Sequence, residues 1–226
     1  MAPDNVLFQA ATWIVPLVFA IVLHEVSHGW AALAFGDPTA KRKRRLSLNP
    51  VRHVDPVGTV LLPLVLAVSG APVFGWAKPV PVVARRMRNP RVHMMLVALA
   101  GPGMNLALAL ISAFVLALLR WIGPGDGIGW IFLEMNLINF LLINVFLAVF
   151  NLLPIPPFDG GHVVEGLLPR PLAARYRRLG RFGFPLLIFL LVIVPWISPE
   201  ADIVARIVVP PVQWVIALMA WLAGLG

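Results

Sequence analysis

The chain contains no cysteine, which excludes disulfide bonds and thiolate ligands for a metal. Charged residues are also scarce: Asp, Glu, Lys and Arg make up 12% of the 226 residues, whereas about a quarter is usual in a soluble domain. Hydrophobic residues make up 60% of the sequence and fall in long runs. The composition therefore indicates an integral membrane protein. The opening residues, MAPDN, include no basic residue, so we expect no cleavable signal peptide.

The net charge is +8, and most basic residues lie in three clusters, at 41–45, 78–91 and 170–181. Basic clusters are found in nucleic-acid-binding proteins. In a chain this apolar they instead favour cytoplasmic loops that follow the positive-inside rule. We therefore expect contact with membrane lipid and no nucleic-acid partner.

Apolar segments predict about five transmembrane helices, since each crossing needs about 20 residues. They lie near residues 6–35, 92–119, 128–152, 183–197 and 204–225. A further apolar segment, 57–70, is short and is interrupted by Pro63. If this segment crossed the bilayer, the second basic cluster would lie outside, so we predict that it re-enters instead. The resulting topology places 16 of the 18 Lys and Arg residues on the cytoplasmic side.

The predicted fold is an all-α polytopic membrane protein with the re-entrant segment and a small membrane-associated β element. The β element is predicted from alternating patterns in RLSLNP (45–50) and WAKPVPV (76–82). One of these stretches is expected either to pair with an extended substrate or to be purely structural. A single membrane-embedded domain is predicted over 1–226, with its core at about 6–165 and a C-terminal helical hairpin at 183–225.

The stretch HEVSH contains His24, Glu25 and His28 inside the first apolar segment. Positions i and i+4 share one face of a helix, so both imidazoles can reach one metal ion. Glu25 lies beside that ion, where a base that activates water is required. The alternative is a pair of buried histidines satisfied by hydrogen bonds, but ionisable residues within a membrane span usually have a function.

A catalytic zinc site needs a third protein ligand, and Asp159 in NLLPIPPFDGGH (151–162) is the best candidate. Prolines before it end the preceding helix, and Gly160 and Gly161 are expected to allow a tight turn toward the ion. Re-entry of 57–70 brings Asp159 to the same leaflet as His24 and His28. The alternative is an ordinary helix-ending loop with a solvated carboxylate.

Three further polar residues are candidates for supporting roles. Asn151, and as a second choice Asn105, are predicted to stabilise the oxyanion or hold the substrate; an interhelical hydrogen bond is the alternative for each. His162 is a candidate for orienting Asp159 from outside the metal's own ligands. The Gly101–Gly103 stretch is interpreted as a site of close helix packing.

Together, HEVSHGW, AGPGMN (100–105) and NLLPIPPFDGGH resemble the site-2 protease family of intramembrane zinc metalloproteases. GDPTAKRKRRLSLNPVRHVDPVGT (36–59) and FGWAKPVPV (74–82) resemble its short bacterial and archaeal branch, which has neither a PDZ nor a CBS domain. The likeness covers about residues 15–165. This chain has Arg44 where that branch often has glycine before Arg-Leu.

The resemblance implies cleavage of a peptide bond within or next to a transmembrane helix. His24, His28 and Asp159 match the family's ligands for one Zn²⁺ per chain, and Glu25 matches its catalytic glutamate. The implied substrate is a single-span membrane protein, such as an anti-sigma factor or a membrane-bound transcription factor. The expected location is the cell membrane, with the active site toward the cytoplasmic leaflet; the oligomeric state is not predicted.

Two other functions were weighed against proteolysis. A metal-ion transporter with the same ligands would need further ligands along a path to the opposite face, and the outer half of the predicted bundle offers few. A membrane di-iron oxygenase needs about eight histidines in clusters, whereas this chain has five.

Overall fold

The computed structural model describes residues 5–69, 75–189, 193–194 and 203–225. Its α-helices are α1 (Val6–Ala34), α2 (Thr39–Arg42), α3 (Leu62–Ser69), α4 (Pro90–Ile122), α5 (Ile128–Asn151), α6 (Asp159–Leu167), α7 (Arg170–Ile188) and α8 (Ile203–Leu222). Short 3₁₀ turns cover Pro50–His53 and Ala84–Arg86, and a π-helical segment, Pro56–Leu61, leads into α3.

Within these described residues, α1, α4 and α5 are long and apolar enough to cross a membrane. Their ends carry the expected signals. Asn5 and Asn89 cap α1 and α4 by accepting hydrogen bonds from backbone N–H groups of the first turn. The chain leaves α1 through Gly36, whose φ of +108° few other residues tolerate.

Helix α4 is the centre of the bundle and contacts α1, α5, α6 and α8. Its fully buried Ala109 and Ala113 pack with Leu141 and Val145 of α5 and with Met219 of α8. Small side chains of this kind let membrane helices approach closely. The end of α1, the start of α4 and the end of α5 therefore meet at one end of the bundle.

The predicted re-entrant segment folds back on itself. The Trp76 N–H donates to Gly58 O (3.1 Å), and the Thr59 hydroxyl donates to Trp76 O (2.8 Å). The chain that leaves through the π-helical segment and α3 is thus back beside its starting point at residue 76. Residues 58 and 76 thus lie side by side, as re-entry requires, and re-entry itself stays a prediction.

The predicted β element is absent from the part of the chain that the structure describes. Residues 75–83 form neither helix nor strand and pair with no other strand among the described residues. We refer to them as the extended segment. Pro79 and Pro81 lack an N–H and cannot complete a ladder. The N–H groups of Val80 and Val83 donate to carboxylates instead.

The C-terminal part also differs from the prediction. Helix α7 begins at Arg170, so no break separates the third basic cluster from the apolar residues at 183. Residues 190–192 and 195–202 of the predicted hairpin lie outside the described residues. Of the five predicted spans, three meet the length and apolarity of a crossing helix among the described residues, and the apolar part of α8 (Arg206–Leu222) is shorter.

The backbone at Arg44 explains the glycine expected there. Arg44 has a φ of +53°, the only positive φ among the described non-glycine residues. That left-handed conformation costs roughly 1–2 kcal/mol for a residue with a Cβ. Arg44 O accepts a hydrogen bond from the Arg52 guanidinium (2.9 Å), which helps to hold the turn.

Candidate metal centre

His24, His28 and Asp159 come together toward the end of the bundle where α1 ends and α4 begins. The two histidines are one turn apart on α1, and both residues are buried. Their Nε2 atoms are 3.1 Å apart, and each lies 3.3 Å from Asp159 Oδ2. No other group of three potential ligands from His, Asp or Glu occurs among the described residues.

The spacing of these three atoms fits a tetrahedral metal ion. In a zinc site with bonds of about 2.0–2.1 Å, neighbouring ligand atoms are about 3.3–3.4 Å apart. The observed triangle has sides of 3.1, 3.3 and 3.3 Å. Three protein ligands leave a fourth position for water or substrate, as in catalytic zinc sites.

The Nδ1 atom of His28 fixes which nitrogen faces the ion. It lies 2.7 Å from the carbonyl oxygen of Val97 on α4. A carbonyl can only accept, so Nδ1 carries a proton and donates it. In the neutral imidazole this leaves Nε2 with a lone pair directed at Asp159, the arrangement that metal-binding histidines adopt.

His24 is oriented by a chain of two asparagines. Phe140 O accepts from the Asn144 amide nitrogen (2.7 Å), and Asn144 Oδ1 accepts from the Asn105 amide nitrogen (2.7 Å). Asn105 Oδ1 therefore faces His24 Nδ1, which donates to it at 2.5 Å. His24 Nε2, like that of His28, is left as a lone pair at the centre.

The Asp159 carboxylate supplies the third acceptor atom beside the two Nε2 atoms. Its Oδ2 is buried and has no hydrogen-bond donor among the described residues. A carboxyl group coordinates a metal in its ionised form, so as a ligand Asp159 would present an anionic oxygen. Two lone pairs and one anionic oxygen converge, and a cation is what such an arrangement binds.

Gly101 makes room for the imidazoles. A Cβ built on this residue would lie 2.5 Å from Cε1 and Nε2 of His28 and 2.6 Å from Cε1 of His24. Real Cβ contacts are essentially never this short, so any other residue at this position would displace the two imidazole rings. The predicted close helix approach is present at Gly101, where α4 meets the two histidines of α1, but not at Gly103, whose built Cβ has no atom within 4 Å.

Asp159 reaches the site from the first turn of α6 rather than from a loop. Gly160 and Gly161 serve a different purpose from the predicted tight turn, since neither has a positive φ. They lie against backbone: a Cβ on Gly161 would be 2.9 Å from Pro156 N, and one on Gly160 would collide with the carbonyls of Leu152 and Leu153. The glycines thus let α6 start directly beneath the end of α5.

Glu25 lies between the two histidines on α1 and contacts the extended segment. Its Oε2 accepts a hydrogen bond from the backbone N–H of Val80 (2.8 Å). No hydrogen bond to Oε1 is formed by the described residues. One carboxylate oxygen is thus held in place while the other is available. Sequence reasoning missed this contact, because a backbone N–H leaves no sequence signature.

A second carboxylate anchors the same segment. Asp37 is fully buried; its Oδ2 accepts from Val83 N (2.6 Å), and its Oδ1 accepts from the backbone and hydroxyl of Thr39. Arg86 in turn donates to the Thr39 hydroxyl (2.6 Å). Burial alone would raise the pKa of Asp37, but these hydrogen bonds and the Arg86 charge lower it. We refer to Asp37, Thr39, Val83 and Arg86 as the Asp37 clasp.

The three predicted supporting residues make different contacts. Asn105 is fully buried, and its amide hydrogens go to Asn144 and Ala20, so it orients His24 instead of offering a free donor to an oxyanion. The Asn151 amide donates to Leu147 O (2.9 Å) on its own helix. His162 lies 3.9 Å from Glu165 with a side chain 46% exposed, and no hydrogen bond joins it to Asp159. The roles of Asn151 and His162 stay predictions.

Comparison with known proteins gives a consistent assignment. The family model described as "Peptidase family M50" matches residues 128–192. The protein named "Putative zinc metalloprotease YwhC" of Bacillus subtilis (strain 168) is 38% identical over 190 residues, which are 80% of this chain and 79% of that protein.

Two proteins named "Putative zinc metalloprotease Rip2" are more distant. The one from Mycolicibacterium smegmatis is 30% identical over 77% of this chain and 64% of its own length. The one from Mycobacterium tuberculosis (strain H37Rv) is 33% identical over 69% of this chain and 55% of its own length. No solved structure matches the chain. Because the similarity to the Bacillus protein covers most of both sequences, this chain belongs to peptidase family M50, the site-2 protease family.

Proposed function

We propose that this protein is an intramembrane zinc metalloprotease that hydrolyses a peptide bond within or next to a transmembrane helix of its substrate. The proposal rests mainly on three acceptor atoms, from His24, His28 and Asp159. The distances between them match those between the ligand atoms of a tetrahedral metal site. The names of the similar proteins, each a zinc metalloprotease, support zinc as the ion. One Zn²⁺ per chain is proposed.

In this proposal His24 and His28 hold the ion through Nε2 and Asp159 through Oδ2. When bound, zinc supplies a Lewis acid that lowers the pKa of water toward about 7 and polarises a carbonyl group. The protein contributes rigidity: Val97 and the Asn105–Asn144 pair fix both rings before an ion arrives. Such outer contacts typically change metal affinity 10–100-fold.

Glu25 is proposed as the general base. The Val80 N–H holds Oε2 at 2.8 Å, which leaves Oε1 to take a proton from the attacking water. The water oxygen bonds to the carbonyl carbon, the C–N bond breaks, and Glu25 returns the proton to the leaving nitrogen. The residue therefore ends the cycle in the protonation state in which it began.

Depth in the bilayer supports cleavage at membrane level. His24 precedes the end of α1 by ten residues, and Gly101 follows the start of α4 by eleven residues. At a rise of 1.5 Å per residue, both lie roughly 15 Å inside the helix ends. The basic clusters at 41–45 and 78–91 adjoin those same ends, which supports an active site toward the cytoplasmic leaflet of the cell membrane.

An apolar groove provides a route for substrate. Its volume is about 720 Å³, and its walls include Leu17 and Ile21 of α1, Phe146 of α5, and Trp76 of the extended segment. Ile21 is one turn before Glu25 on the same helix, so the groove leads toward the proposed base. We propose that it receives apolar residues of a single-span membrane protein, in regulated intramembrane proteolysis of a regulator such as an anti-sigma factor or a membrane-bound transcription factor.

The decisive experiment compares the wild type with Glu25→Gln in detergent. Bound zinc is measured by mass spectrometry, and cleavage is measured on a panel of single-span proteins. We expect zinc to stay at one per chain and cleavage to fall by about a hundredfold to ten-thousandfold, which is the usual contribution of a positioned base.

Glu134→Gln is the matched control, because Glu134 is a partly buried acid on α5 that belongs neither to the metal cluster nor to the groove. It should retain both zinc and cleavage. Full cleavage by Glu25→Gln would remove Glu25 from its assigned role. Zinc transport into vesicles by a wild type that cleaves no member of the panel would favour a transporter over a protease.

A further inference from the structure

A second cavity lies at the inner end of the bundle, outside the metal centre. Its volume is about 600 Å³, and α4, α6, α7 and residues 82–84 form its walls. None of His24, Glu25, His28 or Asp159 lines it. The proposed proteolysis leaves this cavity without a role.

Its charged residues are mainly arginines from separate elements. Arg91 comes from the start of α4, and Arg170 and Arg177 come from α7, whereas Glu165 is the only acid in the lining. Three guanidinium groups against one carboxylate leave an excess of two positive charges. A concave surface with this charge concentrates small anions.

The arginines are incompletely neutralised by the protein. Arg91 donates to the carbonyls of Gly166 and Leu168, which fixes its position but supplies no opposite charge. Arg177 Nε lies 3.6 Å from Glu165 Oε1, and its side chain remains 69% exposed. The Arg170 side chain forms no hydrogen bond or ion pair within the described part of the chain. All three groups can therefore donate to an anion.

The rest of the lining consists of His162, which lies 3.9 Å from Glu165, and of small or apolar residues. Val82, Pro90, Met94 and Ala173 form the walls between the arginines. Pro90 is the first residue of the spanning helix α4, so the cavity lies at the level of its membrane-surface end. Phosphate groups of lipids occupy this level, and guanidinium groups bind phosphate through paired hydrogen bonds.

We propose that this cavity binds a phosphate-bearing anion, presented by a lipid headgroup or free in solution, through Arg91, Arg170 and Arg177. The apolar walls accommodate the glycerol and upper acyl carbons of a lipid. The positive rim holds the phosphate. The proposal does not depend on proteolysis, since none of these residues belongs to the metal centre.

The test titrates the purified full-length chain, in uncharged detergent, with phosphatidylglycerol and counts bound lipid by native mass spectrometry. We expect one saturable site, with affinity about tenfold weaker in Arg170→Gln and in Arg177→Gln, because each loses a charge-assisted hydrogen bond. Arg170→Lys, which keeps the charge, should retain most of the affinity. Arg91 is left unchanged because it holds the end of α6.

Arg178→Gln is the matched control: it removes the same charge from the neighbouring, exposed position of α7, which does not line the cavity. If Arg178→Gln and Arg177→Gln weaken lipid affinity equally, the binding depends on overall surface charge and the proposal is wrong. Absence of any saturable binding of either phosphatidylglycerol or inorganic phosphate would also overturn it.

Competition by inorganic phosphate separates the two sources of the anion. Displacement of the lipid by millimolar phosphate would support a free phosphate as occupant, and resistance would support the lipid headgroup. If a glutamate-rich peptide binds in an Arg177-dependent manner while neither phosphate probe does, the cavity serves an acidic protein segment and the proposal is wrong.

Discussion

Asp37 and Asp159 are both largely shielded from water near the end of the bundle where α1 ends and α4 begins, yet their surroundings are opposite. Asp37 receives hydrogen bonds from two backbone N–H groups and one hydroxyl, so the protein itself satisfies it. Asp159 Oδ2 receives none from the described residues and faces two imidazole nitrogens whose protons lie on the far side of each ring. A carboxylate saturated with donors stabilises a fold. A carboxylate that meets other acceptors is arranged for a cation.

The comparison shows that burial and charge alone do not identify a functional acid. The direction of the neighbouring protons does. In the Asp37 clasp every neighbour donates, and the result is a connection between the end of α1 and the extended segment. In the candidate metal centre the Asn144–Asn105 pair orients His24 and Val97 O orients His28, so that both Nε2 lone pairs face Asp159.

The largest expected effect comes from Asp159→Asn. An amide is a weaker ligand than a carboxylate, and its nitrogen can donate to the Nε2 lone pairs that the ion would otherwise use. Zinc affinity should fall more than about a hundredfold, beyond the 10–100-fold range of outer-shell changes. The thermal stability of the zinc-free protein should stay the same or rise.

Zinc content after dialysis and unfolding temperature in detergent measure these two effects. Asp126→Asn, at an exposed loop position, is the control and should change neither. A zinc-free Asp159→Asn protein that unfolds well below the zinc-free wild type would mean that Asp159, like Asp37, is a structural acid, and the contrast would fail.

Gly101→Ala should also reduce zinc binding, by about tenfold or more, because the added Cβ would displace both imidazoles. Gly103→Ala is a close control on the same helix, since no atom lies within 4 Å of its built Cβ. In a helix that control change should stabilise by up to about 1 kcal/mol. Equal zinc affinity in the two variants would show that the space at Gly101 is not required.

Asp37→Asn tests the other side of the comparison. It should destabilise the fold by about 3 kcal/mol at neutral pH, because charged hydrogen bonds are lost and the new amide opposes a backbone N–H. Zinc per folded molecule should not change. Asp55→Asn is the control, since asparagine is as good a helix cap as aspartate and Asp55 is only partly buried.

The difference in stability between the wild type and Asp37→Asn should depend on pH in a defined direction. The pKa of Asp37 is lower in the folded protein than in the unfolded chain, where it is about 3.9. The ionised carboxylate therefore stabilises the fold above that unfolded pKa. This stabilisation is lost as the pH falls through the folded pKa. Unfolding temperatures of the wild type and Asp37→Asn should therefore converge below about pH 4. A constant difference across that range would exclude the ionised carboxylate as its cause.

The smallest effect is expected next to the clasp, at Arg44→Gly. Glycine adopts a positive φ without steric cost, so the substitution should stabilise the turn by up to about 1 kcal/mol. Thermal unfolding measures it, and zinc content should be unaffected. A lower unfolding temperature would show that contacts of the Arg44 side chain outweigh its backbone strain.

Much of the site could be predicted from residue types and spacing. The HEVSH pattern fixes two imidazoles on one helix face, and the prolines before Asp159 require a helix to end there. The β prediction failed because alternation in WAKPVPV ignores the missing N–H groups of Pro79 and Pro81. For Asn105 the sequence leaves two roles open, an oxyanion donor or an interhelical hydrogen bond, and the structure shows the second, since both ends of its amide are bonded to other helices.

The sequence by itself determined that the chain enters a membrane, which residues can bind a metal, and where helices must begin and end, because hydropathy, helical periodicity and proline geometry are local properties. Only the tertiary structure decided that three ligand atoms from α1 and α6 lie about 3 Å apart, which ring nitrogens face inward, and that Glu25 and Asp37 hold the extended segment. Those features depend on the directions of hydrogen bonds between residues far apart in the chain, and such directions exist only once the helices have packed.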